Sequence, residues 1–126
     1  MVKAVYREPR TYYKYDSKSI IGYLHETIIP DYQPEAISEN VVLEPYTGYQ
    51  YEGTENDGGT IMPCSNWKDH DEVVNAIIRS KYSLSQEFSV QRHYQNDPVA
   101  AEDEWKEYND WCEYAKITAD QWLEQQ

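Results

Sequence analysis

The 126 residues carry 23 acids against 11 bases, a net charge of −12. That length fits a single domain able to bury a core without disulfide or metal support. Binding nucleic acid requires clustered Lys and Arg to neutralise phosphates, and the acid excess argues against nucleic acid and anionic membranes as partners.

The charge is unevenly spread. Residues 1–20 are net +3, residues 21–72 net −10, residues 73–96 net +2 and residues 97–126 net −7. Only 40% of the chain is hydrophobic, with one Phe beside thirteen Tyr and four Trp. Tyr and Trp join a large apolar body to a polar tip, so a thin core and half-buried aromatic surfaces are expected.

The first half reads as strands. Tyr6, Tyr12, Tyr13 and Tyr15 lie among Arg and Lys. IIGYLHETII, residues 20–29, is rich in β-branched residues, and Val41–Leu43 resumes a strand pattern between Pro34 and Pro45. A helix over Ser19–Ile29, with Ile20, Leu24 and Ile28 on one face, is the alternative; Gly22 and the β-branched content disfavour it. In YTGYQYEGTENDGGTIMP, residues 46–63, Tyr49 and Tyr51 alternate and Asn56-Asp57-Gly58-Gly59 supplies turn residues. The pattern predicts a β-hairpin. It lacks the ligand spacing and closing Glu of an EF-hand, so no calcium site is expected.

Beyond Pro63 the period changes. Val73, Val74, Ile77 and Ile78 mark one face of a helix capped at Asn66 or Asp69. Ser83-Leu84-Ser85-Gln86 is a capping-box sequence, opening a second helix with Leu84, Phe88 and either Gln91 or Tyr94 inward. Asp97-Pro98 pairs an N-cap with a first-turn proline and starts a third helix reaching about Leu123. Its stripe is Ala101, Trp105, Tyr108, Cys112, Ala115, Ala119 and Trp122, joined at the edge by Trp111 and Leu123. Trp105, Tyr108, Trp111, Cys112 and Trp122 are therefore expected in the core. At about 1.5 Å per residue this helix outruns the cover its two predecessors offer, so the sheet or a second copy is expected to cover the rest. The fold class is α+β: a small antiparallel Tyr-rich sheet over residues 1–63, then three helices over 64–124, in a single domain.

Reactive chemistry finds little support. Cys64 and Cys112 stand 48 residues apart, in no disulfide or zinc pattern, and Asp110 and Glu113 beside Cys112 disfavour its thiolate. Lys68-Asp69-His70-Asp71-Glu72 reads as an acidic helix start rather than a metal site. No phosphate loop, serine elbow or HExxH occurs, so neither an enzyme nor a cofactor is expected. No apolar leader follows Met1, and no run could cross a bilayer; the expected setting is a reducing cytoplasm or a virion. Nine Tyr fall within the first 51 residues, and Tyr suits recognition surfaces. Tyr49 and Tyr51, with Tyr114 and Ile117 off the helix stripe, are the expected contact residues.

NAIIRSKYSLSQEFSVQR (Asn75–Arg92), DEWKEYNDWCEYAK (Asp103–Lys116) and EPYTGYQYEGTENDGGTIMPC (Glu44–Cys64) resemble a group of small phage and prophage proteins of Bacteroides-type gut bacteria. The group has no established activity. The resemblance implies a viral or mobile-element origin and transfers no site residues. The expected function is a non-enzymatic interaction or structural protein, through a protein partner or self-association. An acidic nucleic-acid mimic and a glycan-binding module are the alternatives.

Overall fold

The computed structural model describes residues 1–34 and 43–124. Six strands precede three helices: β1 Val2–Tyr6, β2 Tyr12–Asp16, β3 Ser19–Gly22, β4 Thr27–Tyr32, β5 Tyr46–Gly53, β6 Thr60–Pro63, α1 His70–Lys81, α2 Leu84–Asn96 and α3 Glu102–Glu124. The class is α+β, as expected, but the strands form two small antiparallel sheets instead of one, in the orders β1-β5-β4 and β2-β3-β6. Ser19–Ile29 is not helical; it supplies β3 and the start of β4. The Val41-Val42 run lies outside the described residues.

The expected hairpin over residues 46–63 is half right. The turn forms, with Gly58 at φ 82° and a Glu55 N–H to Gly59 carbonyl bond of 2.9 Å. However, β5 and β6 do not pair. β1 takes one edge of β5, with Tyr6 opposite Tyr49, and β4 takes the other, with Ile28 opposite Tyr49. A central strand has no third edge to offer, so β6 joins the other sheet.

The chain divides into two compact units, residues 1–13 with 21–61, and residues 14–20 with 62–126. In the first, Tyr12, Tyr23, Leu24 and Tyr51 are the buried apolar side chains among the described residues, so tyrosine fills much of a place usually taken by aliphatics. In the second, the helices supply Val73, Val74, Ile77, Ile78, Val90, Tyr108, Trp111, Ala115, Ala119 and Trp122.

Local signals set the helix ends. Asp69 caps α1, its side chain accepting from the Asp71 N–H at 2.9 Å. Ser83 and Gln86 form the reciprocal capping box of α2, at 3.1 and 2.8 Å. Asp97 receives the Ala100 N–H on its side chain, but residues 98–101 form a turn, and regular α3 begins only at Glu102.

Two packing expectations need correction. Leu84 and Phe88 face water, 52% and 55% exposed, while Glu87 and Val90 form the buried side of α2. The face is displaced because the Glu87 carboxylate is held inward by Arg79 and Tyr108. Nor do the two earlier helices cover only a small part of α3, since they lie along it one after the other. The pairs His70–Asp120 and Lys81–Glu107 align α1 antiparallel to the later part of α3. Tyr108–Glu87 and His93–Glu104 align α2 antiparallel to its earlier part. Only Tyr82 and Ser83 separate α1 from α2, so the two follow one another along α3. None of the described helices is long and apolar enough to cross a membrane.

Candidate functional site

The segment after β1 carries Arg7, Glu8, Pro9 and Arg10 before β2 opens at Tyr12. Arg10 turns its guanidinium onto three tyrosine rings, with its central carbon 4.5 Å from the Tyr6 centroid, 4.5 Å from Tyr23 and 5.2 Å from Tyr13. Arg7 lies over the Tyr46 ring at 4.0 Å. Each such contact contributes roughly 0.5–2 kcal/mol, enough together to restrict an otherwise mobile side chain.

The rings are locked in turn. Tyr6 and Tyr23 meet edge to face at 6.0 Å, Tyr23 and Tyr51 at 5.7 Å, and Tyr13 and Tyr23 at 6.1 Å. The Arg10 N–H donates to the Tyr51 hydroxyl at 2.7 Å, and the Tyr23 hydroxyl donates to Asp57 Oδ2 at 2.7 Å. Tyr6 donates to the Asp57 carbonyl, and the Gly59 N–H reaches Asp57 Oδ1 at 3.0 Å. Tyrosine hydroxyls thus tie the β5–β6 turn to the end of β1 and to Tyr23 after β3, and the Arg10 backbone to β5, a role of these tyrosines beyond packing.

Electrostatics follow from this wiring. Burial raises the phenol of Tyr6, and burial with the bond to Asp57 raises that of Tyr23. Tyr51 is pushed up to about 12, mainly by burial. The bond from Tyr23 lowers the Asp57 carboxyl, aided by the Gly59 N–H and the Arg10 charge. These phenols therefore remain neutral donors and ring faces; they cannot serve as bases near neutrality. A shallow hollow of about 540 Å³, lined by Tyr6, Arg7, Glu8, Pro9, Arg10 and Tyr13, opens at the cluster. Among the described residues neither arginine stands in an ion pair, and the buried Nε of Arg10 has no hydrogen-bond partner.

The residues expected to make contacts are differently disposed. Tyr51 is 1% exposed and belongs to the core, a correction that follows from its packing against Tyr6 and Tyr23 and its bond from Arg10. Tyr49 is half-buried on the central strand. In the helical unit Tyr114 is half-buried, stacked on Trp111 at 5.0 Å, and Ile117 is 55% exposed. Of the expected core residues, Tyr108, Trp111 and Trp122 are buried, whereas Trp105 and Cys112 are half-buried. Trp105 stacks on Tyr94 at 4.5 Å. Burial raises the thiol pKa of both Cys64 and Cys112, helped at Cys64 by Glu72 and at Cys112 by Glu87, so neither is set up as a thiolate.

Arg7 and Arg10 were not singled out by sequence reasoning. The available signal was Tyr interleaved with bases in the first twenty residues, a positively charged stretch of an acidic chain. Among the described residues no group of three or more His, Cys, Asp or Glu is placed to hold a metal ion. Comparison of this chain with protein-family models, with curated proteins and with solved structures finds no match.

Proposed function

We propose that this chain is a non-enzymatic protein-contact module whose recognition surface is the Arg7–Tyr13 segment. One observation carries the reading: two guanidinium groups are fixed on tyrosine rings beside an open hollow, without a carboxylate paired to them among the described residues. Ordering a recognition side chain before contact lowers the entropy cost of binding, and Arg with Tyr is the composition of contact hot spots. The resemblance of Asn75–Arg92, Asp103–Lys116 and Glu44–Cys64 to phage and prophage proteins supports a structural or accessory part in a phage particle. The nucleic-acid mimic is served less well. Lys81, Lys106 and Lys116 lie within ion-pair distance of Glu107, Asp110 and Glu113, interrupting the acidic surface of α3. A sugar-stacking role for Trp105 is opposed by Tyr94, which takes one of its faces.

The test is site-directed photo-crosslinking in host cells. A photoreactive phenylalanine analogue at exposed Tyr13 should give a discrete protein adduct; the same analogue at exposed Asn75 on α1 should not. No adduct at Tyr13, or equal adducts at both positions, would overturn the reading.

A further inference from the structure

We infer that the hollow beside Arg10 is a carboxylate subsite, taking the side chain of an Asp or Glu in the partner polypeptide. The inference rests on the protein-contact reading and gives its ligand chemistry. The chain holds more than two acids for every base, yet Arg7 and Arg10 remain without an ion-pair partner among the described residues. By contrast, Arg79 in the helical unit is paired with Glu87.

Neither neighbouring acid, Asp57 or Glu8, is ion-paired to Arg10 among the described residues. Both Asp57 carboxylate oxygens receive bonds, one from Tyr23 and one from Gly59. Asp57 therefore acts on Arg10 as a nearby charge rather than as a bonded partner. Glu8 lines the hollow and stands in no ion pair among the described residues. Arg10 has donors to spare. A guanidinium carries five N–H groups, and the Arg10 Nε has no hydrogen-bond partner among the described residues.

The chemistry of the lining favours a single carboxylate. Arg7 and Arg10 face Glu8 in the lining, with the Asp57 charge beside Arg10, a near balance that suits a monoanionic carboxylate better than a phosphoryl dianion. The aromatic walls, Tyr6 and Tyr13, would cover the methylenes leading to the carboxylate. The acids elsewhere repel an anionic ligand, but at physiological salt charges beyond about 8 Å are largely screened.

The full chain, with arginine Nε–H and tyrosine ring resonances assigned, is titrated into the millimolar range with Ac-Ala-Glu-Ala-NH2. Ac-Ala-Gln-Ala-NH2 and the phosphoserine peptide Ac-Ala-pSer-Ala-NH2 are the comparisons. The glutamate peptide should shift the Arg10 Nε–H and the Tyr6 and Tyr13 rings saturably, more tightly than either comparison. Arg10→Lys should weaken that binding about tenfold, since an ammonium lacks the planar fork. Arg7→Gln, a change at an exposed position that leaves the fold intact, should weaken it in the same direction. Equal binding of the Glu and Gln peptides, tighter binding of the phosphoserine peptide, or no shift at these residues would each overturn the subsite. An adduct at Tyr13 in the crosslinking experiment would still stand in those cases, so the two ideas fail separately.

Discussion

Tyr108 on α3 donates its hydroxyl to Glu87 Oε1 on α2 at 2.6 Å, while Arg79 on α1 holds the other oxygen of the same carboxylate. One buried acid thus joins all three helices. Burial, and then the bond to Glu87, raise the Tyr108 phenol, keeping it a donor at any physiological pH. Tyr108→Phe removes one charge-assisted bond and should cost about 1–2 kcal/mol. Glu87→Ala strips the partner from Arg79 as well and should cost about 3 kcal/mol, the low end for a buried pair because Arg79 keeps some access to water. Urea unfolding of the two variants measures both. A Glu87→Ala protein no less stable than Tyr108→Phe would show that Arg79 does not depend on this carboxylate.

The same acid explains the exposure of Phe88. Substituting Phe88 by Ser should change stability by less than about 0.5 kcal/mol, because its ring is already in water. Val90→Ala, two residues on and on the opposite side of the helix, should cost about 2 kcal/mol through lost burial and the residual cavity. Thermal melts of the pair give a direct comparison. A larger loss from Phe88→Ser would mean that the apolar face of α2, and not its acidic one, packs on α3.

Much of this architecture was legible in the sequence because the signals were local. The Asp69 cap, the Ser83–Gln86 box and the Val73–Ile78 face all act within one or two helical turns. What was illegible depended on partners far along the chain. Hydrophobic pattern placed Leu84 and Phe88 inside, since nothing near Glu87 in sequence announces that Arg79 and Tyr108 will neutralise and bond it. The same holds for β5. Its turn residues promised a hairpin, but β1 and β4, recruited from before it in the chain, occupied both edges. Arg10 was missed for a related reason: its cage is assembled from Tyr6, Tyr13 and Tyr23, and the Asp57 that braces it lies 47 positions away.

Gly53 ends β5 where the returning turn passes against it. A Cβ there would stand 2.6 Å from the Gly58 carbonyl oxygen, and backbone cannot yield as a flexible side chain can. Gly53→Ala should therefore cost about 3 kcal/mol or more. At Gly58 the difficulty is conformational, since φ is 82°, and Ala should cost about 1–2 kcal/mol there. Both variants should also release the tie between the turn and Tyr23, visible as a rise in the Asp57 pKa by NMR. An unchanged Gly53→Ala protein would contradict the close approach of turn to strand.

High pH should attack the tyrosine-filled unit in a predictable direction. Tyr23 and Tyr51 are raised above the ordinary phenol value of about 10, Tyr51 to about 12, chiefly by burial. Between about pH 10 and these folded values the unfolded chain loses phenolic protons that the folded chain keeps. Proton binding is then greater in the native state, so stability falls as pH rises through that window and is fully present below it. Phenolate absorbance followed beside circular dichroism should show the Tyr23 and Tyr51 phenols ionising above the ordinary value of about 10, together with loss of structure. Tyr23→Phe should flatten part of the alkaline slope, because its unfolded form has one fewer proton to release, although it also gives up the bond to Asp57 at neutral pH. A single unshifted titration of all thirteen tyrosines with the fold intact would show that the cluster is open to solvent.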